Sequence, residues 1–336
     1  MGKGAGRVLV RLWSAGLIQG ALALGGNQGS AAGGTALQAL PLGVPKILLS
    51  TVASGNIRPF VGSRDIFVIF SVVDFVGGPN QLSRQILSRA ATSLLQMARS
   101  WGALLPSPDL KNLVALSALG NTTPLVENCL QQLPVLGMEG VVFHASGAGG
   151  AAMEDLIRAG WFSAVLDLTT HELVGEALGY DIYTPTQPGR LQAAAELGLP
   201  MVVSVGGLDY YVFGAPSTIP EHLRDRKTLL HNPFNANVAL KTEEFARVAE
   251  ALCHRLNPAR GPVALIIPLK GFSQYGEEGG PFWNPEGIEI FVRTVQSNLS
   301  SRHHLHILNA PINSSQVVKV AISELRKFLG GGRAKG

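Results

Sequence analysis

The chain has 336 residues, a formal net charge of +4, 46% hydrophobic and only 15% charged residues, and 40 glycines. That length excludes a single small core and suits one large or two medium α/β domains. The weak charge, with no basic stripe interleaved with aromatics, excludes the usual nucleic-acid binders.

The first acidic residue is Asp65, and Lys3, Arg7 and Arg11 precede an apolar stretch. Such a start suits a signal or organellar transit peptide. The preferred reading is a first strand over 17–24, because a glycine-rich turn follows directly. That turn, Gly25-Gly26-Asn27-Gln28-Gly29-Ser30, sits where a buried strand passes into a helix, predicted over 35–39. Backbone N–H groups and the helix dipole can hold a phosphate at such a junction. No Walker lysine follows, so it is not a P-loop. A strand over 46–51 leads into a second small-residue loop with Thr51, Ser54 and Gly55, then Arg58. In a parallel sheet both loops emerge at the carboxyl edge, where ligands bind.

Next come a strand over 66–72 and a helix over 82–99, in which Leu82, Ile86, Ala90 and Leu94 form an apolar stripe. The Pro- and Ser-containing break at 101–108 marks a domain boundary and divides the chain into 1–105 and 106–330. Beyond it, strands are predicted over 112–116, 140–144, 164–168, 201–205, 263–268 and 304–308. Helices are predicted over 124–133, 151–159, 170–178, 188–197, 242–256, 285–299 and 314–329. Short Val-, Ile- and Leu-rich strands alternating with helices imply two doubly wound, Rossmann-like α/β subdomains with mainly parallel sheets. The stretch 209–241 carries no regular pattern and reads as a long functional loop. The tail from 330 is expected to be disordered. No run is apolar enough to cross a membrane.

A second glycine-rich turn, Gly147-Ala148-Gly149-Gly150, follows His144. With Ala152 in third place and Asp167 twenty residues after Gly147, it meets the dinucleotide fingerprint. One open reading is therefore a dinucleotide-dependent oxidoreductase. Strand ends nearby offer His144, Asp167, Glu172, Asp209, His231 and Lys270, a set suited to acid–base chemistry or a divalent metal. No Gly-x-Ser-x-Gly, His-Glu-x-x-His or Cys-x-x-Cys motif occurs, which disfavours familiar serine hydrolases and zinc enzymes. Cys129 and Cys253 match no metal or redox spacing. They read as buried reduced thiols, so a reducing, cytoplasmic setting is expected.

Ordered blocks carry a family resemblance. They are 25–30, 45–55, Ser71-Val72-Val73-Asp74, 143–154, 166–172, Gly207-Leu208-Asp209, His231-Asn232-Pro233 and Pro268-Leu269-Lys270-Gly271. The chain resembles an uncharacterised bacterial, fungal and plant family that includes the ATP-binding, virus-inhibiting domain of the tomato mosaic virus resistance protein. The resemblance implies ATP, with Mg²⁺, in the first subdomain, dimer formation, and no established catalytic activity. The plant member acts by binding a viral replication protein, so an interaction module is a further reading. Family members carry a strand–helix segment ahead of the first turn. By that comparison the chain reads as an N-terminally shortened member with an incomplete first subdomain.

Overall fold

A computed structural model describes residues 1–76, 78–101, 112–185 and 189–331. The chain divides into two compact units, Met1–Pro108 and Asp109–Gly336. Most of the break expected at 101–108 lies outside the described residues.

The first unit runs α1 (Gly2–Ser14), β1 (Ala21–Gly25), α2 (Asn27–Gln38), β2 (Lys46–Ser50), α3 (Arg58–Val61), β3 (Phe67–Phe70) and α4 (Gln81–Trp101). The residues before the first turn thus form a helix and then a strand that starts four residues later than expected. Leu9 and Trp13, four apart, share one face and pack on a core with Leu37, Leu40, Leu48 and Phe60. Gly16, with φ +70°, ends α1. Its N–H bonds the Trp13 carbonyl and that of Leu17 the Leu12 carbonyl, the two bonds of a Schellman stop. The strand begins only at Ala21, and Leu17 is exposed.

The three strands pair in the order β1-β2-β3, all parallel, which leaves β1 at an edge. Helix α2 is much longer than the predicted 35–39 because it starts inside the glycine-rich turn. Helix α4 covers the other face, where Ile86 and Ala90 pack with Leu49. A Cβ on Gly34 would overlap the Phe60 carbonyl oxygen, so glycine is what lets α2 approach α3.

The second unit runs β4 (Leu113–Ala118), α5 (Thr123–Gln132), β5 (Glu139–His144), α6 (Ala148–Arg158), β6 (Ala164–Asp167), α7 (Glu172–Leu178), α8 (Gln192–Leu197) and β7 (Met201–Ser204). It continues β8 (Tyr210–Phe213), β9 (Thr228–Asn232), β10 (Asn235–Ala239), α9 (Glu244–Leu256), β11 (Val263–Pro268), α10 (Pro285–Asn298), β12 (His304–Leu308) and α11 (Ser315–Gly331). Six parallel strands form one sheet in the order β12-β11-β7-β6-β4-β5. Both faces are covered. Val263, Leu265 and Ile267 of β11 enter the core with α9 and α10, while Ala264 and Ile266 enter the core with α5 and α11. Alternate residues of a continuous apolar strand thus feed opposite cores.

Two expectations need correction. The stretch 209–241 is no irregular loop but contains an antiparallel sheet, β8-β10-β9. Tyr211 and Phe213 face the main core while Tyr210 packs with Val212 and Phe282. Both faces are apolar, so no polar alternation announces the strand. The tail also stays helical to Gly331, while 332–336 lie outside the described residues.

One substitution at two glycines tests this packing. Gly4 is exposed with nothing near a new Cβ, so Gly4→Ala raises stability by about 0.5–1 kcal/mol through helix propensity. Gly34→Ala lowers it by about 1–3 kcal/mol through overpacking. Chemical denaturation of each variant reads both signs.

Candidate functional site

The two glycine-rich turns look alike in sequence and differ in what faces them. Gly147, with φ +88°, caps α6. Its N–H and that of Gly150 both donate to Glu172 Oε1, the latter at 3.2 Å. The anion at this helix N-terminus is therefore the protein's own carboxylate. A Cβ on Gly150 would overlap Glu172, which explains the third glycine.

Glu172 belongs to a larger buried group. Arg190, only 1% exposed, donates Nε to Glu172 Oε2 at 2.5 Å and Nη1 to Glu154 Oε1 at 3.2 Å. Its Nη2 reaches both Asp167 oxygens at 2.8 Å. Ser117 Oγ donates to Asp167 at 2.6 Å, and the Leu191 and Ala193 N–H groups donate to Glu154 at 2.7 Å. Burial opposes charge on Arg190, but the three carboxylates outweigh it and hold the guanidinium protonated. Burial raises the pKa of Glu154 and Glu172, with Arg190 opposing. Asp167, the acidic member of the dinucleotide fingerprint, is thus fully engaged inside the protein. This geometry speaks against a dinucleotide at Gly147–Gly149, because Glu172 already takes the amide donors.

Among the described residues the first turn has no such partner. Gly26 caps α2 without a side-chain bond, and the helix has no acidic residue in its first turn. The Asn27, Gln28 and Gly29 N–H groups precede the first intrahelical acceptors. Asn27 and Gln28 are exposed. Ser30, expected at the rim, is buried instead, 2.6 Å from Ser50 Oγ, and pins the helix start to the end of β2. The Thr51 N–H bonds the Gly25 carbonyl at 3.1 Å, and a Cβ on Gly26 would stand 3.4 Å from Thr51 Oγ1. Ser54 and Gly55 are exposed on the same loop, and Arg58 opens α3 with Asn56 Oδ1 accepting its N–H at 3.1 Å. The first turn and this loop therefore meet at the carboxyl edge of the sheet.

In the second unit a cavity of about 170 Å³ opens at the carboxyl ends of β4 and β5, beside β8 and β10. The connections leaving β4 and β6 run to opposite sides, so the topological switch point is the neighbouring β4/β6 pair, which shares β4 with the cavity. His144, His231, Tyr183, Tyr210, Tyr275, Asn121, Asn235 and Asn237 line it. Asn121 Nδ2 donates to Tyr210 OH at 2.6 Å, while its buried Oδ1 has no hydrogen-bond partner. Beneath, His171 stacks on Tyr210 with ring centroids 4.8 Å apart. Its Nδ1–H donates to the Gly207 carbonyl at 2.6 Å, and Nε2 lies 3.1 Å from Asp181 Oδ2. Burial disfavours the charged form of His171, but Asp181 outweighs it and the pKa rises. Enclosure and the neighbouring His171 lower that of His144. A larger open groove of about 430 Å³ between α5 and α11 gathers no comparable set of rings and amides.

Of the six catalytic candidates, only His144 and His231 share this cavity. Asp167 and Glu172 belong to the Arg190 cluster, and Lys270 pairs with Glu278 at the surface, 3.1 Å away. Asp209 is buried, with Ser273 Oγ donating to Oδ2 at 2.7 Å and Oδ1 without a partner. The amides and tyrosines escaped sequence reading because Asn121 follows β4 as an ordinary turn residue and the rest lie in or against the unrecognised antiparallel sheet. Cys129 and Cys253 are free and buried, and burial pushes their thiols up to about 12 and about 11.

Family models for the N-terminal and C-terminal domains of an uncharacterised protein family, UPF0261, match residues 1–102 and 111–329. The chain belongs to this family. A UPF0261 protein of Clostridium tetani is 39% identical over 303 residues, covering 89% of this chain and 73% of the relative. One from Mesorhizobium japonicum is 36% identical, with 88% and 73% covered. The tomato ToMV resistance protein Tm-1(GCR237) is 33% identical over 91% of this chain but only 41% of its own length. The tomato ToMV susceptible protein tm-1(GCR26) is also 33% identical, over 89% and 40%. Resistant and susceptible proteins match alike, so the likeness marks the family and not the resistance. Among the described residues no helix is long and apolar enough to cross a membrane.

Asp209 supplies a pH test. Burial raises its pKa from 3.8 to about 6, against the Ser273 hydrogen bond. A folded pKa above the unfolded one means that the native state holds the proton more tightly. Its stabilisation is full below about pH 4 and is lost as pH rises through 6. Asp209→Asn should flatten that slope, worth up to about 3 kcal/mol, in denaturation series from pH 4 to 8. An unchanged slope in the variant contradicts the assignment.

Proposed function

We propose that this protein binds a nucleotide through its first unit, with the phosphates of ATP·Mg²⁺ at the N-terminus of α2. The carrying observation is the contrast between two similar turns. One spends its amides on Glu172, while among the described residues no side-chain oxygen accepts from the Asn27, Gln28 or Gly29 N–H of the other. The Gly26, Asn27, Gln28 and Gly29 backbone would take the phosphates, with the Thr51 hydroxyl beside it. Ser54, Gly55 and Arg58 belong to the adjoining loop and helix start and would complete the rim. With no carboxylate in that first turn, Mg²⁺ would arrive on the nucleotide and offset its charge. The family resemblance supports the choice of ATP. Within this reading the protein is a nucleotide-dependent interaction module, where the dimer and protein partner implied by the resemblance also belong.

A second reading rests on the cavity in the second unit. An orphaned buried amide oxygen, His144 and His231 favour a small polar ligand that donates a hydrogen bond to Asn121. Acid–base chemistry by the two histidines is the catalytic form of that reading.

Gly26→Asp separates nucleotide binding from folding. Aspartate is a favoured helix cap, so the variant should be as stable as the parent or a few tenths of a kcal/mol more stable. It would also place a carboxylate on the amides, as Glu172 does in the second unit, and abolish ATP·Mg²⁺ binding by calorimetry. Undiminished binding in the variant, or none in the parent, contradicts the proposal.

A further inference from the structure

Strand β12 is the edge of the six-stranded sheet, and α11 packs on it. His304 and His306 lie two residues apart and so share one face of the strand. Glu324 reaches them from α11. Its Oε2 lies 2.5 Å from His304 Nδ1 and its Oε1 3.4 Å from His306 Nε2. One ligand atom from each residue falls within 4.8 Å of the others. The Glu324 carboxylate is only 2% exposed, and His306 Nε2 is buried without a hydrogen-bond partner.

We infer that His304, His306 and Glu324 form a binding site for a divalent transition metal of the zinc type. Two imidazoles and one carboxylate suit Zn²⁺, Co²⁺ or Ni²⁺, whereas Mg²⁺ and Ca²⁺ prefer all-oxygen sets. Around a tetrahedral zinc, ligand atoms about 2.0–2.1 Å from the metal stand roughly 3.3 Å apart, which the Glu324–His306 separation of 3.4 Å already matches, while half-exposed His304, now 2.5 Å from Glu324, would move outward to admit the ion. The buried nitrogen of His306 gains the partner it lacks, and half-exposed His304 leaves one side of the ion to water. The site sits at the amino end of β12, whereas the cavity lies at the carboxyl edge of the sheet. Its role is therefore to tie α11 to the sheet edge, not to serve that cavity.

The protein carries an internal competitor. Lys327 Nζ lies 2.6 Å from Glu324 Oε1 and holds the carboxylate when no metal does. Metal must displace this ammonium, so removing it should tighten binding. A merely structural charge network predicts no such gain.

The test uses the full chain, freed of metal and titrated with Zn²⁺ and with Co²⁺. One ion per chain is expected, with visible Co²⁺ absorption and a higher melting temperature with Zn²⁺. His304→Ala and His306→Ala should each weaken binding by at least about tenfold, as should Glu324→Gln, while Lys327→Ala tightens it severalfold. His304 is half exposed, so its variant keeps the test valid if the buried Glu324 change fails to fold. Binding that is indifferent to the histidine variants, weakened by Lys327→Ala, or absent from the parent overturns the proposal.

Discussion

Arg190 is the buried cation at the centre of three buried carboxylates, and much of the second unit is arranged around satisfying it. Asp167 comes from the end of β6, Glu172 from the start of α7 and Glu154 from α6. Each carboxylate also accepts a further hydrogen bond, from Ser117, from the α6 turn, or from the backbone that leads into α8. Such a group adds little net stability over an apolar replacement, but losing one partner costs about 3–5 kcal/mol. Its consequence is register: four elements keep these positions or a charge is stranded.

That constraint decides what the second glycine-rich turn does. Its shape is that of a phosphate cradle, yet the amides hold Glu172, whose other oxygen holds Arg190. The turn is a joint between α6 and α7. Among the described residues, the same backbone device in the first unit has no carboxylate reaching it from elsewhere in the chain. The difference between structural joint and candidate ligand site is thus one residue, Glu172, lying 25 positions downstream of Gly147.

The parallel sheets were legible because strands buried on both faces are short, continuous and rich in Val, Ile and Leu. All six parallel strands of the second unit fall where their sequence places them, to within about two residues at each end. The antiparallel sheet was not legible, since Tyr210 to Phe213 is apolar on both faces and the chain between it and the next strand contains proline and charge. With it went most of the cavity wall. Asp167 does end β6, but residue type alone cannot tell a buried counter-ion from a catalytic group. Arg190 carried no sequence signal: it follows the glycine at 189 outside any motif. Helix α1 was missed because Lys3, Arg7 and Arg11 before an apolar stretch offered another reading, while Leu9 and Trp13 point to a core that only the fold creates.

The central claim is that only the first of two similar turns is an external anion site. Hydrogen exchange of the full chain, with and without ATP·Mg²⁺, tests it most directly. The account predicts slowed exchange in peptides spanning 25–30 and 51–58 and no change over 144–152. Protection centred on 144–152, or none in either region, would contradict it.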